Sequence, residues 1–221
     1  MLDHVKLLKN KNAPRVFTPQ QLHDFFKANG AEVTPRTVST YLGNWCDIGL
    51  VEKVAFGVFL NRTCDIQPIA DEASGFIRNK AVVSLQRVLG AAGVLNNPSH
   101  WITCVIPYGA GVRDGLVSNN STTFKFTKIH ETLFPGVQDD WFVDALDTNA
   151  SYLRATPEKA ILDWVYLGTI PTGRAKPLPP RHDIDFDLFD MDRLARLAQK
   201  MNLEEQYQKW STGKLKSSIK F

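Results

Sequence analysis

Cysteine is scarce in this chain and long apolar runs are missing. Only Cys46, Cys64 and Cys104 occur, an odd number without a Cys-x-x-Cys pair, and this excludes a disulfide framework. No stretch approaches the roughly 18 apolar residues that a membrane-spanning helix needs. The first residues, Met1 to His4, lead into a polar segment that carries lysines, so we expect no signal peptide. A cytoplasmic protein without a membrane partner is the expectation.

Neither sign of charge dominates. The chain of 221 residues has 26 basic and 23 acidic side chains and a formal net charge of +3. Bulk charge therefore does not indicate nucleic-acid binding, which would need a local concentration of Lys and Arg. The first 66 residues hold eight basic and six acidic residues, a balance that predicts modest affinity for DNA per copy.

What the chain does contain is a helix-turn-helix pattern within residues 18–62. The pair Thr-Pro at 18–19 offers an N-cap and a first-position proline, and Gly30 ends that helix. The same pair at 34–35 starts a second helix four residues later, and Gly49 ends it. Such a short connection predicts two helices joined by a tight turn.

A β-hairpin follows the second helix. Residues 50–62 are rich in strand formers and turn near Gly57. Helix, helix and hairpin is the order in which winged helices present one helix to the major groove and a wing to the DNA backbone. The sequence therefore predicts a winged-helix DNA-binding domain over residues 1–66, and a small helical lobe that makes protein contacts is the alternative.

The second helix has two distinct faces. Val38, Leu42, Trp45 and Cys46 are spaced by three and four residues and form an apolar stripe. The other positions carry hydroxyl, amide, Arg and Tyr groups, which approach base edges and phosphates without repulsion. We expect contacts to double-stranded DNA from Arg36, Thr37, Ser39, Thr40, Tyr41 and Asn44 on the helix, and from Lys53 and Arg62 on the wing.

The pattern of residues 67–221 predicts a mixed α/β domain. Together with the winged helix before it, this gives an expected α+β class for the whole chain. Residues 63–74 have the composition of a linker. Periodicity then predicts a helix over 78–92, strands over 101–106 and 122–129, and a short strand or a turn within 141–146. Further helices are expected from Thr156-Pro157, from Asp190 or Asp192, and over about 203–210.

Residues 155–163 read Ala-Thr-Pro-Glu-Lys-Ala-Ile-Leu-Asp. This segment resembles the helix start of the AbiEi-type antitoxins, transcriptional regulators of type IV toxin–antitoxin systems. The order of the surrounding segments is also similar: a helix at 80–85, strands at 102–107 and 123–129, and a helix at 192–198. The resemblance covers most of the chain, but only residues 155–163 are specific.

The resemblance implies a DNA-binding transcriptional repressor and antitoxin. In this family the winged helix binds inverted repeats in the promoter of its own operon. The C-terminal domain, here residues 67–221, counteracts a nucleotidyltransferase-like toxin without a stable complex. The alternatives are a winged-helix protein-interaction module and a regulator without a toxin partner.

The motif itself has a structural interpretation. Thr156 offers a cap, Pro157 suits the first helical position, and Glu158 favours the positive helix N-terminus. Lys159 and Asp163 are four residues apart, so they are expected to pair on one face of the helix.

Enzymatic chemistry finds little support. The Gly-x-Gly at 109–111 lacks the third glycine and the helix of a dinucleotide site. His182 precedes Asp183, Asp185 and Asp187, which alternation would place on one face of a strand as a weak cation site or as protective edge charge. The other histidines have no ligand spacing. We expect no catalytic residue, no metal and no cofactor, and an enzyme that uses the three aspartates remains as a third hypothesis.

Overall fold

The computed structural model describes residues 2–109, 111, 113–119, 121–134, 142–144, 152–170 and 175–215. They form a mixed α+β fold with two β-sheets. The first part contains α1 (Leu2–Leu8), β1 (Val16–Phe17), α2 (Pro19–Ala28), α3 (Pro35–Asp47), β2 (Val51–Ala55) and β3 (Val58–Asn61).

The second part begins with α4 (Ser74–Ile77), β4 (Val82–Val83), α5 (Gln86–Ala91), β5 (Ile102–Pro107), β6 (Gly115–Ser118) and β7 (Thr123–Ile129). It continues with β8 (Phe142–Asp144), β9 (Leu153–Ala155), α6 (Pro157–Thr169), α7 (Met191–Lys200) and α8 (Glu204–Ser211). Short 3₁₀ turns lie at Ala70–Ala73, Glu131–Leu133, Arg181–Asp183 and Phe186–Leu188.

The helix starts expected at the Thr-Pro pairs are confirmed. Thr18 accepts the amide of Gln21 at 3.3 Å, and the Gln21 side chain accepts the amide of Thr18 at 2.8 Å, which completes a capping box. Thr34 accepts the amide of Thr37 at 3.2 Å. These caps satisfy amides that would otherwise lack partners at the start of α2 and α3.

The first sheet has the strand order β1-β3-β2 and is antiparallel throughout. Its two faces belong to different cores. Phe17 and Phe59 pack on one face with α1, α2 and α3, whereas Val16, Val54 and Leu60 on the other face join the core of the second sheet. The hairpin β2–β3 is therefore packed on both faces.

The second sheet has six strands in the order β6-β7-β5-β4-β9-β8. β5 pairs in parallel with β7, and β4 pairs in parallel with β9, while the other neighbours are antiparallel. Helix α6 packs against α5, α7 and α8. The strands and helices expected at 101–106, 122–129, 141–146, 156, 190 and 203–210 are confirmed to within a few residues, the short strand only over its described part, 142–144.

The helix expected over 78–92 is wrong in its first half. Val82 and Val83 form strand β4, which pairs with Val105 and Cys104 of β5, and the helix begins only at Gln86. The similar helix that the resemblance suggested at 80–85 falls on the same strand. A short apolar run with two adjacent valines fits either structure by periodicity, and here pairing with β5 and β9 decides in favour of the strand.

Residues 63–74, expected to be a linker, hold buried carboxylates instead. Glu72 accepts two hydrogen bonds from Arg15, and Asp71 accepts three from Arg87. Both carboxylates are at most 5 % exposed. The segment is therefore fixed to the strands and helices on either side of it.

None of the helices that the structure describes is long and apolar enough to cross a bilayer. The middle residue of the Gly-x-Gly at 109–111 lies outside the described residues.

Candidate nucleic-acid interface

Helix α3 is held firmly by its inner face. Val38, Leu42 and Trp45 are at most 3 % exposed and pack in the core shared with α1, α2 and the first sheet. The turn before the helix is fixed as well, because the His23 ring nitrogen Nε2 lies 3.1 Å from the carbonyl oxygen of Val33. The apolar stripe expected from the sequence is thus confirmed, with Cys46 only partly buried at its margin.

The outer face of α3 is polar and open. Arg36, Ser39, Thr40 and Asn44 are exposed, four of the six helix residues expected to contact DNA. Arg36 makes no ion pair with any residue that the structure describes. Within the described part of the chain, the face therefore presents one cation without a counter-charge, two hydroxyls and an amide.

Both hydroxyls already donate within the helix. Ser39 Oγ donates to the carbonyl of Pro35 at 3.1 Å, and Thr40 Oγ1 donates to the carbonyl of Arg36 at 3.2 Å. Each oxygen keeps its lone pairs for a partner outside the helix. In this arrangement the two side chains offer acceptors outward, which suits the amino groups of adenine and cytosine.

Thr37 and Tyr41 contact other residues of the fold. The Thr37 hydroxyl lies 2.8 Å from the Thr34 hydroxyl and so belongs to the N-cap. The Tyr41 ring packs between His4 and Trp45, with ring centroids at 5.1 Å and 5.4 Å. Tyr41 therefore joins α1 to α3 and is half-buried there.

Sequence reasoning missed Gly43. It lies four residues after Ser39 and three after Thr40, so it occupies the middle of the outer face. A Cβ atom built on Gly43 would meet nothing within 4 Å, so the surrounding fold does not require glycine there. Glycine inside a helix costs about 1 kcal/mol relative to alanine. An exposed helical glycine lets another molecule come close to the backbone.

The two wing residues are placed differently. Lys53 is exposed, and its ammonium lies 5.8 Å from the ring centroid of Phe56 at the hairpin tip. Arg62, in contrast, donates to Glu52 at 2.5 Å and 2.9 Å and to the carbonyl of Pro68 at 2.6 Å. The structure thus leaves Lys53 available to a phosphate and engages Arg62 within the chain.

The segment 155–163 is the N-terminal part of α6, and its side chains build the fold. Thr156 caps the helix by accepting the amide of Lys159 at 3.3 Å. The expected pair of Lys159 and Asp163 is confirmed, but both groups are buried, and Ser84 donates to Asp163 at 2.7 Å. Burial lowers the pKa of Lys159 and raises the pKa of Asp163, and each charge offsets the shift of the other.

Glu158 connects two helices. Its Oε1 accepts the amide of Asp190 at 3.1 Å at the start of α7, and its Oε2 lies 3.8 Å from Arg193 Nη1. Glu158 is 3 % exposed, so this carboxylate of the motif is enclosed between α6 and α7 and contributes to the packing of the two helices.

The aspartates after His182 do not share a strand. Asp183 ends a 3₁₀ turn and Asp187 lies in the next one, while Asp185 caps that second turn by accepting the amide of Asp187 at 3.1 Å. Asn97 donates to Asp183 at 3.1 Å. Within the described ranges, no group of three His, Cys, Asp or Glu side chains is placed to hold a metal ion. The expectation of a common strand face is therefore wrong.

Comparison with known proteins gives a fold relationship. Neither the protein-family models nor the curated proteins include a match to this chain. Among solved structures, the crystal structure of the RV2827C protein from Mycobacterium tuberculosis is similar, with a TM-score of 0.52. The two are 18 % identical, and the match covers 91 % of this chain and 75 % of that chain. At this identity the similarity shows the fold alone.

Proposed function

We propose that this protein is a DNA-binding transcriptional regulator whose first 66 residues act as a winged helix-turn-helix. In this proposal α3 enters the major groove of double-stranded DNA and the hairpin β2–β3 lies along the backbone as the wing. The observation that carries the proposal is the outer face of α3. This face is polar, its Arg36 forms no ion pair with a described residue, and at Gly43 it has no side chain to hold another molecule away from the backbone.

The roles follow from the positions. Arg36 and Asn44 have the donors and acceptors that read guanine and adenine edges, and Ser39 and Thr40 offer hydroxyl oxygens beside them. Lys53 supplies a phosphate contact from the wing. Because Arg36 and Lys53 are the cations that this set of residues contributes, we expect a salt dependence of about two released counterions per chain.

The packing of the hairpin supports a fixed docking geometry. Val16, Val54 and Leu60 bury one face of the first sheet against the second core. The spacing between α3 and Lys53 is therefore already fixed in the protein without DNA. Preorganised surfaces lose less conformational entropy on binding, which partly offsets a modest charge.

The finer proposal is that the regulator is also an antitoxin of the AbiEi type. It rests on the resemblance of residues 155–163 and on the order of a candidate winged helix before a mixed α/β part. In it the protein represses its own operon at promoter inverted repeats and counteracts a nucleotidyltransferase-like toxin without a stable complex. Growth tests this part: such a toxin from the same operon should arrest cells, and co-expression of this chain should restore growth. If growth stays arrested, the antitoxin proposal fails and the DNA-binding proposal is unaffected.

The test of DNA binding is a fluorescence-anisotropy titration of the full chain against its own upstream DNA. Two salt concentrations and a scrambled duplex of equal length serve as controls. Selective binding that weakens with salt supports the proposal. Equal affinity for both duplexes contradicts it.

One observation favours a second function, a protein-interaction module. Ile48 at the end of α3 is 66 % exposed, and Phe56 at the hairpin tip is 94 % exposed. Large exposed apolar side chains occur at protein interfaces. A tight protein partner whose binding is lost in Ile48→Asp and Phe56→Asp variants, together with no DNA affinity, would establish this alternative.

A further inference from the structure

A cavity of about 140 Å³ opens between the second sheet and residues 176–177, the covering segment after α6. It is remote in sequence from α3 and plays no part in the proposed DNA contacts. The polar side chains in its described lining are Gln86, Thr103, Lys125, Thr127 and Lys176.

Two walls of the cavity are fixed by hydrogen bonds. β5 and β7 are paired so that Thr103 lies opposite Lys125, which sets one wall. The covering segment is held by the Trp164 indole, which donates to the carbonyl of Pro177 at 2.8 Å. The amide of Lys176 donates to the carbonyl of Leu167 at 2.9 Å. The cavity is therefore part of the folded structure.

The charge in the cavity is positive. Lys125 and Lys176 both line it, and neither forms an ion pair with a residue in the described ranges. The described lining contains no acidic side chain. The Lys125 ammonium lies 5.3 Å from the ring centroid of Trp101, a cation–π contact that does not neutralise its charge. Two lysines whose described surroundings hold no counter-charge favour an anion at this cavity.

Thr127 adds a free hydrogen-bonding group. Its side chain is 8 % exposed, and its hydroxyl makes no hydrogen bond with any residue that the structure describes. Thr103 differs, because its hydroxyl donates to the carbonyl of Ser84 at 2.6 Å and accepts the amide of Arg87 at 2.9 Å. Because Thr127 lines the cavity, its hydroxyl is open to a ligand there.

The rest of the lining is apolar. Leu85, Trp164, Leu167 and Pro177 supply its apolar side chains. Leu85 adopts φ 59° and ψ −138°, a conformation that non-glycine residues rarely take. Residues in such strained conformations are concentrated at active sites and ligand clamps. An apolar wall opposite two cations suits a molecule with one charged end.

We propose that this cavity binds a small organic anion. The phosphate or carboxylate group of the ligand lies among Lys125, Thr127 and Lys176, and its apolar body lies against Trp164 and Leu85. The volume fits one ring, since a buried cavity of about 150 Å³ accommodates benzene. The proposal stands on the cavity alone and does not depend on DNA binding.

The test is calorimetric titration of the full chain with four probes. Phenyl phosphate and benzoate carry a ring with a phosphate or a carboxylate, phenol carries the ring alone, and inorganic phosphate carries the anion alone. We expect saturable binding of phenyl phosphate or benzoate, at least tenfold tighter than phenol and inorganic phosphate. The stronger of the two identifies the anionic group. Equal or absent binding of all four probes at millimolar concentration would overturn the proposal.

Variants locate the site. Lys125→Gln, Thr127→Val and Lys176→Gln should each weaken binding of the better probe at least fivefold, and Lys11→Gln, a change of an exposed lysine elsewhere, should leave it unchanged. Because Lys176 is exposed, its variant keeps the fold even if a strand variant does not. The Trp164 indole N–H signal in NMR, assigned with Trp164→Phe, should shift on binding. Unchanged affinity in Lys176→Gln together with an unshifted Trp164 signal would place any binding elsewhere and overturn the proposal.

Discussion

Arg15 and Glu72 meet through two parallel hydrogen bonds. Nε of Arg15 donates to Oε2 of Glu72 at 3.1 Å, and Nη2 donates to Oε1 at 2.8 Å. The hydrogen bonds to Glu72 raise the pKa of Arg15. Arg15 precedes the first sheet and Glu72 precedes the second, so this pair joins the part that carries α3 to the rest of the chain.

Removing the carboxylate should loosen that connection. Glu72→Ala removes the carboxylate partner of the Arg15 guanidinium, which keeps its hydrogen bond to the carbonyl of Ile66, at a site where both side chains are at most 11 % exposed. We expect the free energy of unfolding to fall by about 3 kcal/mol, as when one member of a buried pair is removed. Chemical denaturation measures this. The control is Glu52→Ala, whose partner Arg62 is more exposed, with an expected loss below about 1 kcal/mol. Equal losses in the two variants would contradict the account.

The buried pair in α6 gives the second prediction. Lys159→Met leaves the Asp163 carboxylate with Ser84 as its remaining described partner, so the free energy of unfolding should fall by about 3 kcal/mol. The double variant Lys159→Met/Asp163→Leu removes both charges and should be more stable than the single variant. Denaturant melts of the three proteins decide this. A double variant that is less stable than Lys159→Met would show that the charges stabilise the helix beyond their mutual pairing.

The wing gives a contrast between two cations. Lys53→Gln should weaken DNA binding and reduce the slope of log affinity against log salt by about one unit, because an exposed phosphate contact is lost. Arg62→Gln should leave that slope unchanged, because Arg62 is engaged with Glu52 and Pro68. Anisotropy titrations at three salt concentrations measure both slopes. A larger change of slope in Arg62→Gln would mean that Arg62 leaves Glu52 to bind phosphate.

A substitution at Gly43 should change the stability of the fold and the affinity for DNA in opposite directions. Gly43→Ala should raise the free energy of unfolding by about 1 kcal/mol, since alanine favours the helix and the Cβ meets nothing within 4 Å. The same methyl group should weaken DNA binding, because it stands on the face that approaches the groove. Gly75→Ala is the matched control, an exposed helical glycine with equally open surroundings in α4. If Gly43→Ala binds DNA as tightly as the wild type, the proposal that DNA comes close to the α3 backbone at Gly43 is wrong.

Local signals in the sequence were sufficient for much of this fold. Thr18, Thr34 and Thr156 each precede a proline, and each caps a helix in the structure. Caps act within a few residues of chain, so sequence reasoning finds them. The prediction of a helix at Val82 and Val83 was wrong because these residues form a strand that is stabilised by partners distant in sequence.

At the candidate interface, too, the sequence predicts the features that depend on local spacing and does not predict those that depend on distant contacts. The exposure of Arg36 and Thr40 follows from helical spacing relative to Val38 and Trp45, and spacing was available from the sequence. The engagement of Arg62 with Pro68 depends on how residues 63–74 fold back, and no local pattern indicates that. Gly43 has a local signal, a glycine inside a helix, that could have been used.

The most direct test of the account is one anisotropy experiment on two proteins. The wild-type chain and the double variant Arg36→Ala/Thr40→Ala are titrated with the upstream DNA at fixed salt, and their circular dichroism spectra and melts are compared. The account predicts matching folds and an affinity at least tenfold lower in the double variant, because both changes lie on the exposed face of α3. Equal affinity in the two proteins would contradict the assignment of α3 as the DNA-binding helix.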